Sequence, residues 1–116
     1  MANTFKIKTN DAMPTSAGTP LTLYTVPSNT TTVVLGLMLC NVDSSQRTVD
    51  VQIVSDTSDT ETNATVYAVK DAPVPAGSTL EVMAGNKVVL QTTDVLKIDC
   101  DAAAKIDATL SIMEIT

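Results

Sequence analysis

The second half of the sequence repeats one pattern, a short apolar segment followed by turn-forming residues. Thr79–Met83, Val88–Leu90 and Val95–Cys100 are such segments, separated by Gly, Asn, Asp and Thr. Strands at about 8–12-residue spacing with turn residues in the gaps are typical of β-sandwiches and barrels, because the chain must reverse after each strand. With the first half included, the pattern predicts a single-domain, all-β antiparallel β-sandwich of about eight strands, either immunoglobulin-like or jelly-roll-like.

Three segments in the first half distribute their apolar residues differently. Thr48–Val54 alternates apolar and polar residues, which predicts a strand of an antiparallel sheet with its apolar side chains inward. Phe5–Thr9 also alternates, with lysines between its apolar residues, and predicts an edge strand with one face in water. Val33–Cys40 is an almost unbroken apolar run, which predicts a central strand covered on both faces.

Residues 1–20 are expected to form an N-terminal edge strand followed by an extended arm, and residues 21–116 the β-sandwich domain. Asn10–Pro20 is polar and contains two prolines and a glycine. Extended Pro-containing segments lose little entropy on docking, so the arm could lie along a neighbouring molecule. A free terminus explains the same composition equally well. A chain of 116 residues supports one domain with a single core.

Charge and hydropathy argue against several classes of partner. The chain carries 7 basic and 13 acidic residues, a net charge of −6, and its basic residues are scattered singly. Binding to a phosphate backbone or an anionic membrane needs clustered cations, so neither nucleic acid nor a membrane is expected as a partner. No segment approaches the ~20 apolar residues of a membrane span, and the first residues lack the apolar stretch of a signal peptide. Synthesis in the cytoplasm is therefore expected.

Enzymatic chemistry is not expected from this sequence. It contains no histidine, which removes the commonest general base and every Ser-His or Cys-His arrangement. Acidic residues in the predicted strands occupy alternate positions or strand ends, which usually lie in water. The sequence thus predicts neither catalytic residues nor a cofactor.

One loop and two cysteines are candidates for a metal site or a disulfide. Asp56, Asp59 and Glu61 could supply oxygen ligands to calcium, but their spacing fits no standard calcium loop, and a hydrophilic hairpin loop is favoured. Cys40 and Cys100 each end a predicted strand and could form a disulfide across the sandwich. Reduced thiols are favoured, because cytoplasmic proteins rarely keep structural disulfides. Two isolated cysteines without histidine also cannot complete a zinc site.

Three sets of motifs carry a family resemblance. They are Tyr24-Thr-Val-Pro-Ser followed by Thr31-Thr-Val-Val-Leu-Gly-Leu, the central Val69-Lys-Asp-Ala-Pro-Val-Pro-Ala-Gly-Ser-Thr-Leu-Glu-Val, and Leu96-Lys-Ile with Leu110-Ser-Ile-Met-Glu-Ile. Over Leu21–Thr116 the chain resembles small virion structural proteins of tailed bacteriophages, most closely those of marine cyanophages. The resemblance implies a β-sandwich subunit that is repeated many times on a particle and has no catalytic residues.

The expected function is that of a capsid decoration (cement) protein, which stabilises the phage head by bridging neighbouring capsid subunits. Its partners would be the major capsid protein and copies of itself, in a homo-oligomer such as a trimer. The alternatives are a tail or fibre accessory protein and a carbohydrate-binding host-attachment module, although one Phe, two Tyr and no Trp offer few rings to a sugar. Methionines more often fill cores than line contacts. The candidate interface residues are Met13, Pro14, Pro20, Met38, Met83 and Met113.

Overall fold

The computed structural model describes residues 2–11, 13, 20–55, 63–83, 87–102 and 104–116. Within these residues the regular elements are nine β-strands, and there is no helix. The strands are β1 (Asn3–Asn10), β2 (Leu21–Thr25), β3 (Thr31–Asn41), β4 (Arg47–Val54), β5 (Val66–Val74), β6 (Thr79–Glu81), β7 (Val88–Leu90), β8 (Val95–Cys100) and β9 (Ile106–Ile115).

The strands form two antiparallel sheets whose order is that of a jelly roll. The first sheet has the order β1-β9-β3-β6, with β7 also paired to β3, and the second has the order β2-β8-β4-β5. Because β6 and β7 pair with different parts of β3, they share one edge position, which gives eight positions in all. The pairs β1 with β9, β2 with β8, β3 with β6 and β7, and β4 with β5 arise when one long antiparallel ribbon winds into two sheets. The predicted all-β sandwich is confirmed, and its topology is the jelly-roll alternative.

Aliphatic side chains fill the space between the two sheets. The predicted alternation of Thr48–Val54 is confirmed, since Val49 and Val51 lie in the core. In β9 alternate residues from Ile106 to Ile112 are likewise buried. With so few aromatic residues, the core depends on branched aliphatic side chains, which suit the pleated surface of a sheet. The largest of its fully buried side chains are Leu37, Leu39, Leu90, Leu96, Ile98, Ile106, Leu110 and Ile112.

The prediction that Val33–Cys40 is covered on both faces is wrong. Its strand, β3, is central in the first sheet, but only about every second side chain points into the core, and the alternation shifts at a bulge between Val34 and Gly36. Val33 is half-buried and Met38 is 41% exposed on the opposite side. The second sheet covers only one side of β3, and the described part of the chain places no further layer on the other.

The prediction that Phe5–Thr9 lies at a sheet edge is confirmed, because β1 is an edge strand of the first sheet. The same prediction expected water on only one face of the strand, whereas β1 is exposed on both faces. Phe5 and Ile7 are 71% and 68% exposed on the side away from the second sheet. Lys6 points to the inner side, where its ammonium group contacts Glu114. A crevice of about 420 Å³, lined by residues of both strands, separates much of the inner side of β1 from β2 and leaves it open to water.

The connection from β3 to β4 is organised by the buried side chain of Asn41. Its amide nitrogen donates to the carbonyl oxygens of Ser45 and Val74, both at 2.9 Å, and its Oδ1 accepts from the N–H of Asp43 at 2.8 Å. Arg47 closes the same turn with two contacts to the Asp43 carboxylate, at 2.8 Å from Nε and 2.5 Å from Nη2. Because Val74 belongs to β5, Asn41 ties the first sheet to the second.

Thr93, in the turn before β8, has a φ of 72°, a conformation that strains a β-branched residue. Its side chain is exposed, and its N–H donates to the carbonyl oxygen of Val26 at 3.1 Å. Thr93→Gly keeps this hydrogen bond and is expected to raise the free energy of unfolding by ~0.5–1 kcal/mol, measured by urea denaturation. Thr65→Gly, at an exposed position without positive φ, should give no gain. An equal gain in both variants would contradict the prediction.

Candidate interaction surface

The first sheet turns an apolar face toward solvent, on the side away from the second sheet. We call this side the outer face. One row of successive cross-strand partners spans all four strand positions: Phe5, Met113, Val33 and Val89. Phe5 is the most exposed of the four, and Val89 at the opposite edge is 60% exposed. Contiguous exposed apolar side chains of this kind mark sites where another molecule binds.

Charged residues are absent from the central rows of the outer face. The rows on either side of the first are Asn3, Ile115 and Thr31, and Ile7, Ser111 and Gly36. Acidic residues enter only toward the far end, where Glu81 pairs with Met38 and Asp107 pairs with Cys40. In a chain of net charge −6, the three central rows of the outer face thus carry no acidic residue. Its centre carries no charge that would have to be desolvated on binding.

Beneath the edge of the outer face, a buried polar cluster joins the two sheets. The Tyr24 hydroxyl of β2 donates to Glu114 Oε2 at 2.5 Å and lies 2.8 Å from Thr32 Oγ1. Lys6 Nζ contacts the second carboxylate oxygen, Oε1, at 2.8 Å. Glu114 and Thr32 are direct partners on β9 and β3, so four strands meet at this cluster. The contact from Lys6 holds β1 against the body of the sandwich.

The cluster shifts the pKa values of two of its members in opposite directions. The hydrogen bond from Lys6, followed by that from Tyr24, lowers the pKa of Glu114. Burial, followed by the hydrogen bond to Glu114, raises the pKa of Tyr24 to about 12. Around neutral pH the carboxylate is therefore ionised and the phenol is neutral, which is the combination that their short hydrogen bond requires.

The four methionines predicted from the sequence as interface candidates separate into two groups. Met38 is exposed and Met113 half-buried on the outer face. Met13 and Met83 are buried in the core, so they serve as core fillers and are not accessible to a partner. Pro20 is half-buried beside the second sheet. Pro14 lies outside the described residues, as does most of the predicted arm.

The residues that dominate the outer face are not among the interface candidates predicted from the sequence: Phe5, Ile7, Val33 and Val89. One feature of the sequence pointed to this surface: the apolar run of β3 has apolar residues on both sides of the strand, whereas a strand with one buried face needs them on one side only. The sequence does not show whether the second apolar side is covered or lies in water. The strand order settles this, because it shows a single layer packed on β3 among the described residues.

Neither cysteine takes part in a disulfide. Cys40 pairs with Asp107 on the outer face, whereas Cys100 is buried on the core side of β8, so the two do not face each other across the core. The proposed calcium ligands Asp56, Asp59 and Glu61 lie outside the described residues. Among the residues that are described, no group of three or more Cys, Asp or Glu side chains is arranged to hold a metal ion.

Comparison with protein-family models, curated proteins and solved structures finds no match. The described ranges also contain no helix that is long and apolar enough to cross a membrane. Among the described residues, the outer face is an apolar sheet surface on which no further layer packs.

Proposed function

We propose that this chain is a non-enzymatic virion structural protein that decorates a phage capsid and bridges neighbouring capsid subunits through its outer face. The observation that supports this function is the uncharged apolar row from Phe5 to Val89, which crosses every strand position of the first sheet. The resemblance of Leu21–Thr116 to small virion proteins of tailed bacteriophages is the reason for proposing a phage capsid as the partner of this face. A cement protein acts by adding buried area, so it needs a surface of this kind and no reaction centre.

The outer face has suitable dimensions for this role. An 11-residue strand such as β3 is ~36 Å long, and four strand positions span ~19 Å, which gives a face of roughly 700 Å². A standard protein interface buries ~800 Å² on each partner. One copy could therefore form one ordinary contact, and the symmetry of a capsid would multiply that contact many times.

A carbohydrate-binding role has less support from the aromatic residues. Tyr24 is buried and its hydroxyl is engaged with Glu114, so its ring is not available to a sugar. Lys70 Nζ lies 4.9 Å from the centre of the Tyr67 ring and covers one side of it. Phe5 is well exposed, but it stands among aliphatic side chains on the outer face. Those neighbours fit a protein surface better than a hydrated glycan.

Cryo-electron microscopy of the purified phage particle tests the proposal. We expect symmetric copies of a 12.2 kDa β-sandwich over the capsid lattice, with the outer face toward the shell. Copies confined to the tail or fibres would contradict capsid decoration and favour an accessory protein there. Absence from the particle would overturn the virion assignment.

Two matched valine variants test the surface itself. Val89 and Val66 are both exposed, but they lie on edge strands of different sheets. Val89→Asp places a charge in the apolar row. When purified protein is added to phage particles that lack it, we expect at least tenfold less of this variant than of the wild type to bind. Val66→Asp should bind like the wild type. Equal binding by both variants would show that the outer face is not the contact surface.

A further inference from the structure

In the part of the chain that the structure describes, β1 is an edge strand, and its outer edge carries a regular set of backbone groups without a partner strand. Ala2 and Thr116 exchange two backbone hydrogen bonds, at 3.2 and 3.0 Å, immediately before the ladder between β1 and β9. Hydrogen-bonded pairs alternate along an antiparallel ladder, so the even-numbered residues of β1 bond to β9. The N–H and C=O groups of the odd-numbered residues therefore point away from the sheet: Asn3, Phe5, Ile7 and Thr9.

The other three sheet edges contain features that disfavour pairing with another strand. β2 has five residues and a register shift between Thr22 and Tyr24. β5 contains Pro73, a left-handed Asp71 and two register shifts. The edge formed by β6 and β7 is divided into two strands of three residues each. β1 has eight residues in continuous register and no proline, and such an edge readily accepts a further strand.

We propose that β1 pairs antiparallel with β1 of a second copy of this chain, about a twofold axis at Lys6. In this register Phe5 of each copy lies opposite Ile7 of the other, and Asn3 lies opposite Thr9. All four outward-facing residues of each strand then exchange hydrogen bonds, because both members of every such pair are odd-numbered. The apolar side chains of the two copies also meet on the same face, since the side chains of a strand alternate strictly.

Charge favours this register over its nearest alternative. The two Lys6 residues meet at the axis, but each is already paired with a Glu114 carboxylate at 2.8 Å. Lys8 lies opposite Thr4. An axis at Ile7 would instead bring Lys6 of one copy opposite Lys8 of the other. Glu114 contacts Lys6 and not Lys8, so it would balance only one of these two facing charges. The axis at Lys6 thus leaves no lysine facing an uncompensated lysine.

Pairing would join the two first sheets into one continuous sheet with a doubled outer face. This inference goes beyond capsid decoration and does not depend on it, because β1 pairing requires only a second copy of the chain. An edge contact buries less than the ~800 Å² per partner of a standard interface. We therefore expect a reversible dimer in solution, which forms at high concentration or when copies are held together on a surface.

Disulfide trapping tests both the pairing and its register. In a Cys40→Ser background, Lys6→Cys places two thiols at a directly opposed, non-hydrogen-bonded pair with Cα atoms ~4.5 Å apart, within disulfide range. Lys8→Cys is the matched control, because its two copies would be offset by four residues, or ~13 Å. Under mild oxidation Lys6→Cys is expected to give at least fivefold more covalent dimer than Lys8→Cys. Equal yields, or none from either variant, would overturn the proposed register.

Sedimentation of the unmodified protein provides a second test. The wild type should shift from monomer to dimer as its concentration rises toward 1 mM, and a monomer throughout would overturn the proposal. Ile7→Pro removes an outward N–H without removing a bond to β9, and it should abolish the dimer. Val89→Asp, at the opposite edge, should still dimerise even if it no longer binds capsids. Loss of the dimer in Val89→Asp alone would indicate face-to-face packing and contradict edge pairing.

Discussion

Asn41→Ala is expected to lower the free energy of unfolding by about 3–4 kcal/mol, a large fraction of the stability of a domain of this size. The substitution removes three side-chain hydrogen bonds and leaves the carbonyl of Val74 and the N–H of Asp43 without that partner. A buried polar group that loses its partner costs ~1–3 kcal/mol. Thermal and urea denaturation should both show the loss, with the melting temperature falling by roughly 10–15 °C.

Asn63→Ala is the matched control for this prediction. Asn63 is exposed, and its amide donates to the Ser55 hydroxyl at 3.0 Å. Its replacement should change the free energy of unfolding by less than ~0.5 kcal/mol. If the two alanine variants were equally stable, Asn41 would not be the connection between the sheets that the hydrogen bonds indicate.

Glu114→Ala is expected to cost about 2 kcal/mol, the second-largest effect. It removes the acceptor of the Tyr24 hydroxyl and the partner of Lys6, although Tyr24 keeps its contact with Thr32. Glu114→Gln retains the volume and an oxygen acceptor, so we expect it to cost about half as much. A double-mutant cycle with Tyr24→Phe should give a coupling energy above ~0.5 kcal/mol, and additivity would contradict the cluster.

The same cluster predicts how stability depends on pH. The pKa of Glu114 is lowered from 4.5 in the folded state, so its contribution is complete above pH 4.5 and is lost as the pH falls through the folded value. The pKa of Tyr24 is raised from 10.0 to about 12, so its contribution is complete below pH 10 and is lost as the pH rises toward 12. Urea denaturation of wild type and Glu114→Gln at several pH values should show a weaker acid dependence in the variant.

The sequence was sufficient for the fold class because local patterns encode it. Alternation in Thr48–Val54 and turn residues between short apolar segments predicted the strands, and the structure confirms the sandwich. The choice between the two topologies depended on the pairing of β1 with β9 and of β2 with β8. These contacts join opposite ends of the chain, and no local pattern specifies them.

The candidate surface was harder to predict for the same reason. Alternation in Phe5–Thr9 shows which residues share a side of the strand, but not which side faces the core. The structure turns the lysine side inward because Glu114 lies there, more than a hundred residues later in the chain. A charged inward partner overrode the usual expectation that apolar residues point to the interior.

The pairing of the first strand with the last has a consequence for the order of folding. β9 lies between β1 and β3, so the first sheet cannot assemble until β9 has been synthesised. Contacts of such long sequence separation form slowly, because closing the long intervening loop costs entropy before the contacts can stabilise it. During synthesis, β1 would leave the ribosome before the other described strands and would stay unpaired until β9 follows. The docking of β1 would then be a late folding step, and a chain that lacks β9 could form neither the paired β1 edge nor the full apolar outer face.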